Sequence, residues 1–184
     1  MAFIGAGSGR VDEVVVMGDL SARLCMRWPS VDPLIRQLLD DLTARPAYVV
    51  NLRWDIIAWN RAAERLFDFS GRAQADRNFI RLVFADPEFR RRLPAWREDA
   101  PRLLAQFRHD LASAPDDPAM LLLIDEMKKV SPDFRRWIEK PGMERYGWGV
   151  SIVLDHKGGR LSFDHQMLTV DEHRHLRMIV YFEQ

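Results

Sequence analysis

Apolar residues recur along this chain at two spacings, and the change from one to the other divides it. Leu34, Leu38, Leu39 and Leu42 fall at helical intervals and predict an amphipathic helix over residues 31–44, which Pro46 ends. Two short extended runs follow, 47–50 and 54–59, separated by Asn51-Leu52-Arg53 and read as a hairpin. Asn60 then caps a helix carrying Ala63, Leu66 and Phe67. Phe79, Ile80, Val83 and Phe84 form the next stripe, and Trp96, Ala100, Leu103, Leu104, Phe107 and Leu111 the longest, with Pro101 predicted to kink that helix or mark its start. Asp86-Pro87, Asp117-Pro118 and Ser131-Pro132 each pair a capping residue with proline at the first helical position. The last two open helices with Met120–Ile124 and Met127, then Phe134, Trp137 and Ile138.

Over the last forty residues the period falls to two. Tyr146, Trp148, Val150, Ile152 and Leu154 alternate in one run. Leu161, Phe163, His165 and Met167 make a second, and Leu176, Met178, Val180 and Phe182 a third. Lys157-Gly158-Gly159 predicts a tight hairpin between the first two. Strand, strand, helices, then three strands predicts an α+β, PAS-like fold. Its five-stranded antiparallel sheet carries the helices inserted between strands two and three on one face, which buries the alternating apolar set. Residues 1–30 stand apart as a poorly defined N-terminal segment before a domain spanning 31–184. Their Gly5-Ala6-Gly7-Ser8-Gly9 lacks the preceding strand and third glycine of a dinucleotide fingerprint, and Val14-Val15-Val16-Met17 fits a strand or a helix equally.

Composition narrows the function. Six Trp, ten Phe and three Tyr in 184 residues argue for a packed core rather than a solvated coil. Twenty-seven basic residues balance 27 acidic ones, so the chain as a whole has no electrostatic grip on nucleic acid. The single cysteine, Cys25, excludes an internal disulfide and any multi-cysteine metal site. No run reaches the ~18–20 apolar residues of a membrane span, and the N-terminus lacks a signal peptide's basic start; the expectation is a soluble, cytoplasmic protein.

Pro46–Val50, then Arg53-Trp54-Asp55-Ile56-Ile57-Ala58-Trp59-Asn60-Arg61-Ala62, resembles the start of the MmyB-like transcription regulator ligand-binding domain. The likeness continues through residues 77–84 with Asp86-Pro87, at Trp96, at 131–134, and in the closing Leu176-Arg177-Met178-Ile179-Val180-Tyr181. The resemblance implies a PAS-like sensor with a pocket for a fatty acid between sheet and helices. It also implies a neighbouring helix-turn-helix. The family's His-Pro at the hairpin between the third and fourth strands stands here as His156-Lys157, and its fourth-strand tyrosine as His165. A helix-turn-helix needs roughly 55–65 residues, and 30 precede residue 31, so direct sequence-specific DNA binding by this chain is not expected.

The leading expectation is therefore a non-enzymatic regulatory domain, without a cofactor or metal, that binds an elongated apolar ligand such as a fatty acid. A homodimer or a helix-turn-helix partner are the protein partners it would take. Trp59, Phe79, Phe84, Phe107, Trp137 and Trp148 are the wall candidates, each with core packing as its plainer role. Asn60 is a helix cap that can also contact ligand, and His165 or Arg81 stands at the polar end. Trp54 and Trp59 bracket the second strand and fall on opposite faces if it is regular. Asp55 serves the hairpin. Methionines at 120, 127, 167 and 178 would let an apolar cavity adapt to its ligand. Residues 61–114 hold 11 basic and 8 acidic residues, a solvated helix face in the plainer reading; Arg77 or Arg81 is the alternative partner for a ligand carboxylate. His173 and His175, with Glu172, have a spacing that metal ligands use but fall in a turn. Two other classes stay open. One is a DNA-binding regulator whose helix-turn-helix is supplied from outside this chain. The other is a small enzyme built around His165, which needs a second titratable group that the pattern does not provide.

Overall fold

The computed structural model describes residues 31–140, 151–154, 157–171 and 175–184. The expectations for residues 1–30, Tyr146, Trp148, Val150, His156, Glu172 and His173 lie outside the described residues.

Capping chemistry sets the helix starts. In α1 (Pro33–Asp41) the Asp32 carboxylate accepts from the amide of Leu34 at 2.8 Å. Asn60 caps α2 (Arg61–Phe67) and Asn78 caps α3 (Phe79–Ala85). Asp86 opens α4 (Pro87–Arg91), Asp117 opens α6 (Pro118–Val130) and Ser131 opens α7 (Pro132–Ile138), each with proline as the first helical residue. Between α4 and α6, α5 (Trp96–Ser113) continues past Pro101. Its start lies five residues before the proline, which forfeits one amide bond and does not end the helix.

The strands are β1 (Ala47–Val50), β2 (Ile56–Trp59), β3 (Ser151–Leu154), β4 (Arg160–Asp171) and β5 (Leu176–Glu183). They form one antiparallel sheet in the order β2-β1-β5-β4-β3, so the expected PAS-like α+β arrangement is present. Gly158 in the β3–β4 connection sits at φ +82°, a conformation glycine adopts without a Cβ penalty.

The two faces of the sheet bury different partners. Tyr48, Val50, Ile179 and Tyr181 pack with α2 to α7 in the main core. Ala47, Val49, Leu176, Met178 and Val180 point the other way and pack under Ile35 and Leu39 of α1. This corrects two expectations. The apolar side of α1 is Ile35 and Leu39, while Leu34 is 74% and Leu38 44% exposed. In β5 the residues facing the inserted helices are Arg177, Ile179 and Tyr181, not the Leu176–Phe182 set. Strand β5 is central and covered on both sides, so both of its phases are apolar and alternation cannot report which faces the helices.

The third correction concerns the tryptophans. Trp54 lies ahead of β2 in the left-handed region, at φ +67°, and both Trp54 and Trp59 pack against the main core. A bulky residue rarely holds that conformation, and three bonds fix it here. Its amide donates to Asn51 O at 3.0 Å, its carbonyl accepts from Phe79 N at 2.8 Å, and its indole donates to Asp110 at 2.7 Å.

Candidate functional site

The described members of the expected wall set fall into two aromatic groups on the helix-facing side. In the first, Tyr48, Phe67, Phe69, Phe79, Phe89 and Tyr181 meet at centroid distances of 5.3–6.4 Å, and Trp59 joins through Phe69 at 5.6 Å. In the second, Phe84 meets Trp96, Phe134 and Trp137, and Phe107 reaches Phe134 at 6.5 Å. Phe79, Phe84 and Phe107 are buried; Trp59 and Trp137 are part-buried at the rim.

The polar candidates are placed very differently from one another. Asn60 spends its side chain on the fold. Its Oδ1 accepts from Ala47 N and Ala63 N, and its Nδ2 donates to Leu42 O at 2.7 Å and Arg45 O at 2.8 Å. One asparagine thereby joins the end of α1, the start of β1 and the start of α2. Arg81 presents its fork to Glu126 on α6, and the pairing pulls the Glu126 carboxyl below the usual carboxylate range. Asp55 sits in the hairpin as expected: it accepts from Asn51 Nδ2 at 2.9 Å, Arg53 Nε at 2.7 Å and Asn78 Nδ2 at 2.9 Å.

His165 is buried on the inner face of β4, opposite Tyr181 in the β5 register, with the two rings stacked at 5.3 Å. Burial pushes the imidazole pKa down to about 4, and the Asp164 charge only partly opposes that. Its ring is therefore neutral at pH 7. The neighbouring Tyr181 hydroxyl lies 3.3 Å from that of Tyr48, and burial raises its pKa to about 12, so it stays protonated.

This burial sets a pH dependence. The unfolded histidine titrates near 6.5 and the folded one near 4, so between those values the unfolded chain binds the extra proton. Stability should fall as pH drops through 6.5 and stop responding to this group below about 4. Between pH 7.5 and 5.0 the loss should be about 2 kcal/mol. Urea unfolding at both values should show it in the native chain and lose most of it in His165→Gln; equal pH dependence in the two proteins would contradict the assignment.

Two features escaped the sequence reading. The first is Asp110, fully buried on α5, which accepts from the Trp54 indole, from Gln106 Nε2 at 3.1 Å and from Arg177 at 2.5 Å. It ties α5 to the first hairpin and to the central strand. The second is a half-open cleft of about 290 Å³ at the β2 edge, bordered by Arg36, Ile56, Ile57, Trp59, Gln74 and Arg77. Strand β2 is irregular there. Val49 pairs with Ala58 but Val50 pairs with Ile56, so Ile57 is the extra residue of a bulge. Among the described residues, no group of three or more His, Cys, Asp or Glu could hold a metal ion, and no helix is long and apolar enough to cross a membrane.

The family described as the MmyB-like transcription regulator ligand binding domain matches residues 31–184. No curated protein matches the chain.

Proposed function

The chain belongs to the family of MmyB-like transcription regulator ligand binding domains, and from there we propose that its signal is an elongated apolar acid such as a fatty acid, held on the helix-facing side of the sheet. The observation that carries this reading is the inner face of β4. Leu161, Phe163 and Met167 form an apolar stripe interrupted by the buried His165, and Leu161 and Met167 are only part-buried against the core. An acyl chain fits such a stripe because its length is matched by apolar contact and it needs few fixed polar partners. Trp59, Phe79, Phe84, Phe107, Trp137 and Trp148 are the proposed walls.

Asn60 and Arg81 keep their existing bonds in this reading, and the polar end is assigned to His165, whose buried ring interrupts the apolar stripe of β4. An uncharged imidazole hydrogen-bonds a carboxyl group without neutralising it. The protein is a cytoplasmic, non-enzymatic sensor in this account, and reading of DNA falls to a helix-turn-helix outside residues 31–184, on the same polypeptide or a partner. The zero net charge agrees with that division.

Thermal melts with saturated fatty acids of graded length test the proposal. A ligand at a hundredfold excess over Kd stabilises the fold by about 2.7 kcal/mol, which should raise Tm by about 5–10 °C in a domain of this size. The shift should depend on chain length and shrink when Met167 is replaced by lysine. Absence of any shift across the series would overturn it.

A further inference from the structure

We propose that the cleft at the β2 edge is a second ligand site, which takes a compact carboxylate on a flat apolar body such as an arene carboxylate. Two guanidinium groups border it, from different elements: Arg36 on α1, and Arg77 directly after the 3₁₀ turn Gln74–Asp76. Neither lies within ion-pair distance of a carboxylate among the described residues, whereas Arg53, Arg72, Arg81, Arg90, Arg102, Arg136 and Arg177 all do. Among the described residues no acidic one borders the cleft, and Asp76, the chain neighbour of Arg77, is not part of its lining.

Both guanidiniums are instead held by backbone carbonyls. Arg36 donates one N–H to Trp59 O at 3.1 Å. Arg77 donates Nε to Phe69 O at 3.0 Å and Arg72 O at 3.1 Å, and a terminal nitrogen to Ser70 O at 3.3 Å. A guanidinium carries five N–H donors, so each keeps donors beyond these bonds while its position is fixed in advance. Fixed, partly spent forks without a counter-ion suit a carboxylate, which accepts two parallel bonds.

The remaining lining decides what the carboxylate is attached to. Ile56 and Ile57 lie on opposite faces of the edge strand, Ile56 buried in the main core and Ile57 against the α1 side, and the cleft borders both at the strand's edge. Trp59 adds an indole with the Arg77 guanidinium 5.3 Å over its ring. With Ile57 beside it, that indole is the apolar surface of a cleft otherwise lined by polar atoms, and it favours a small flat body laid on the ring over a hydrated inorganic anion. About 290 Å³ lies at the lower end of small-molecule sites, which favours a compact molecule over a long acyl chain.

Calorimetric titration of the full chain with 2-naphthoate, 2-naphthamide, inorganic phosphate and myristate tests this. 2-Naphthoate should bind one per chain, with the amide and phosphate weaker by about tenfold or more. Arg36→Gln should weaken 2-naphthoate by a similar factor. It is the deciding variant because Arg36 makes a single backbone bond, whereas Arg77→Gln also releases the turn at 69–72. Trp59 is a proposed wall of the acyl site as well, so myristate should change the 2-naphthoate affinity at most modestly and should not displace it, and the two sites fail or survive separately. Equal binding of the amide or of phosphate, an unchanged affinity in Arg36→Gln, no binding at all, or stoichiometric displacement by myristate would overturn the proposal.

Discussion

Asp110→Ala should cost about 3–5 kcal/mol of folding stability, because it leaves Arg177 a buried charge without its counter-ion. The carboxylate is wholly buried and the arginine side chain is 16% exposed, so water cannot replace the lost partner. The same change removes the acceptor of the Trp54 indole, which holds an unfavourable left-handed turn in place. A Tm drop of about 10 °C or more should accompany it. Urea unfolding measures the loss directly. The double variant Asp110→Leu, Arg177→Met should recover a large part of it, since a buried pair exchanged for apolar side chains of similar volume is often neutral or better. A loss below about 1 kcal/mol in the single variant would show that the pair is solvated and the α5-to-β5 tie unimportant.

Phe67→Ala should be comparably damaging, by about 3–5 kcal/mol. The Phe67 ring stacks on Phe69 at 5.3 Å and meets Tyr48, Phe79, Phe89 and Tyr181, so removing it opens a cavity among side chains contributed by β1, α3, α4 and β5. Phe182, 37% exposed at the far end of β5, is the internal control and should lose far less on the same truncation. Equal losses at the two positions would mean that the aromatic cluster can close around the missing ring.

What the sequence made legible follows from the range of the forces involved. Caps are local, and Asp86-Pro87, Asp117-Pro118 and Ser131-Pro132 all open helices where their side chains reach amides two or three residues on. The succession of two strands, helices and three strands was legible because the period changed and the closing strands match a known family pattern. Which face β5 presents was not, since α1 covers the sheet side opposite the inserted helices and makes both phases apolar. The same tertiary packing exposes Leu34 and Leu38 and buries Ile35.

The polar sites were harder because their partners lie far along the chain. Asp110 falls three residues after Phe107 on the buried stripe of α5, and Arg177 interrupts an otherwise apolar strand; each anomaly is visible alone. Their pairing across 67 positions is not. Arg36 reads as one more solvated charge on α1 until Trp59 O, 23 positions away, is found to hold it. The cleft lies at an edge strand and joins residues from α1, β2 and the turn at 74–77, which no spacing in β2 announces.

The account rests most heavily on an acyl ligand lying along β4, and native mass spectrometry of the full chain with an equimolar panel of fatty acids tests that most directly. It should show a single bound acid per chain, selective for chain length and diminished when Met167 is replaced by lysine. A chain that stays bare across the panel, or that binds every length equally and keeps doing so in Met167→Lys, would contradict it.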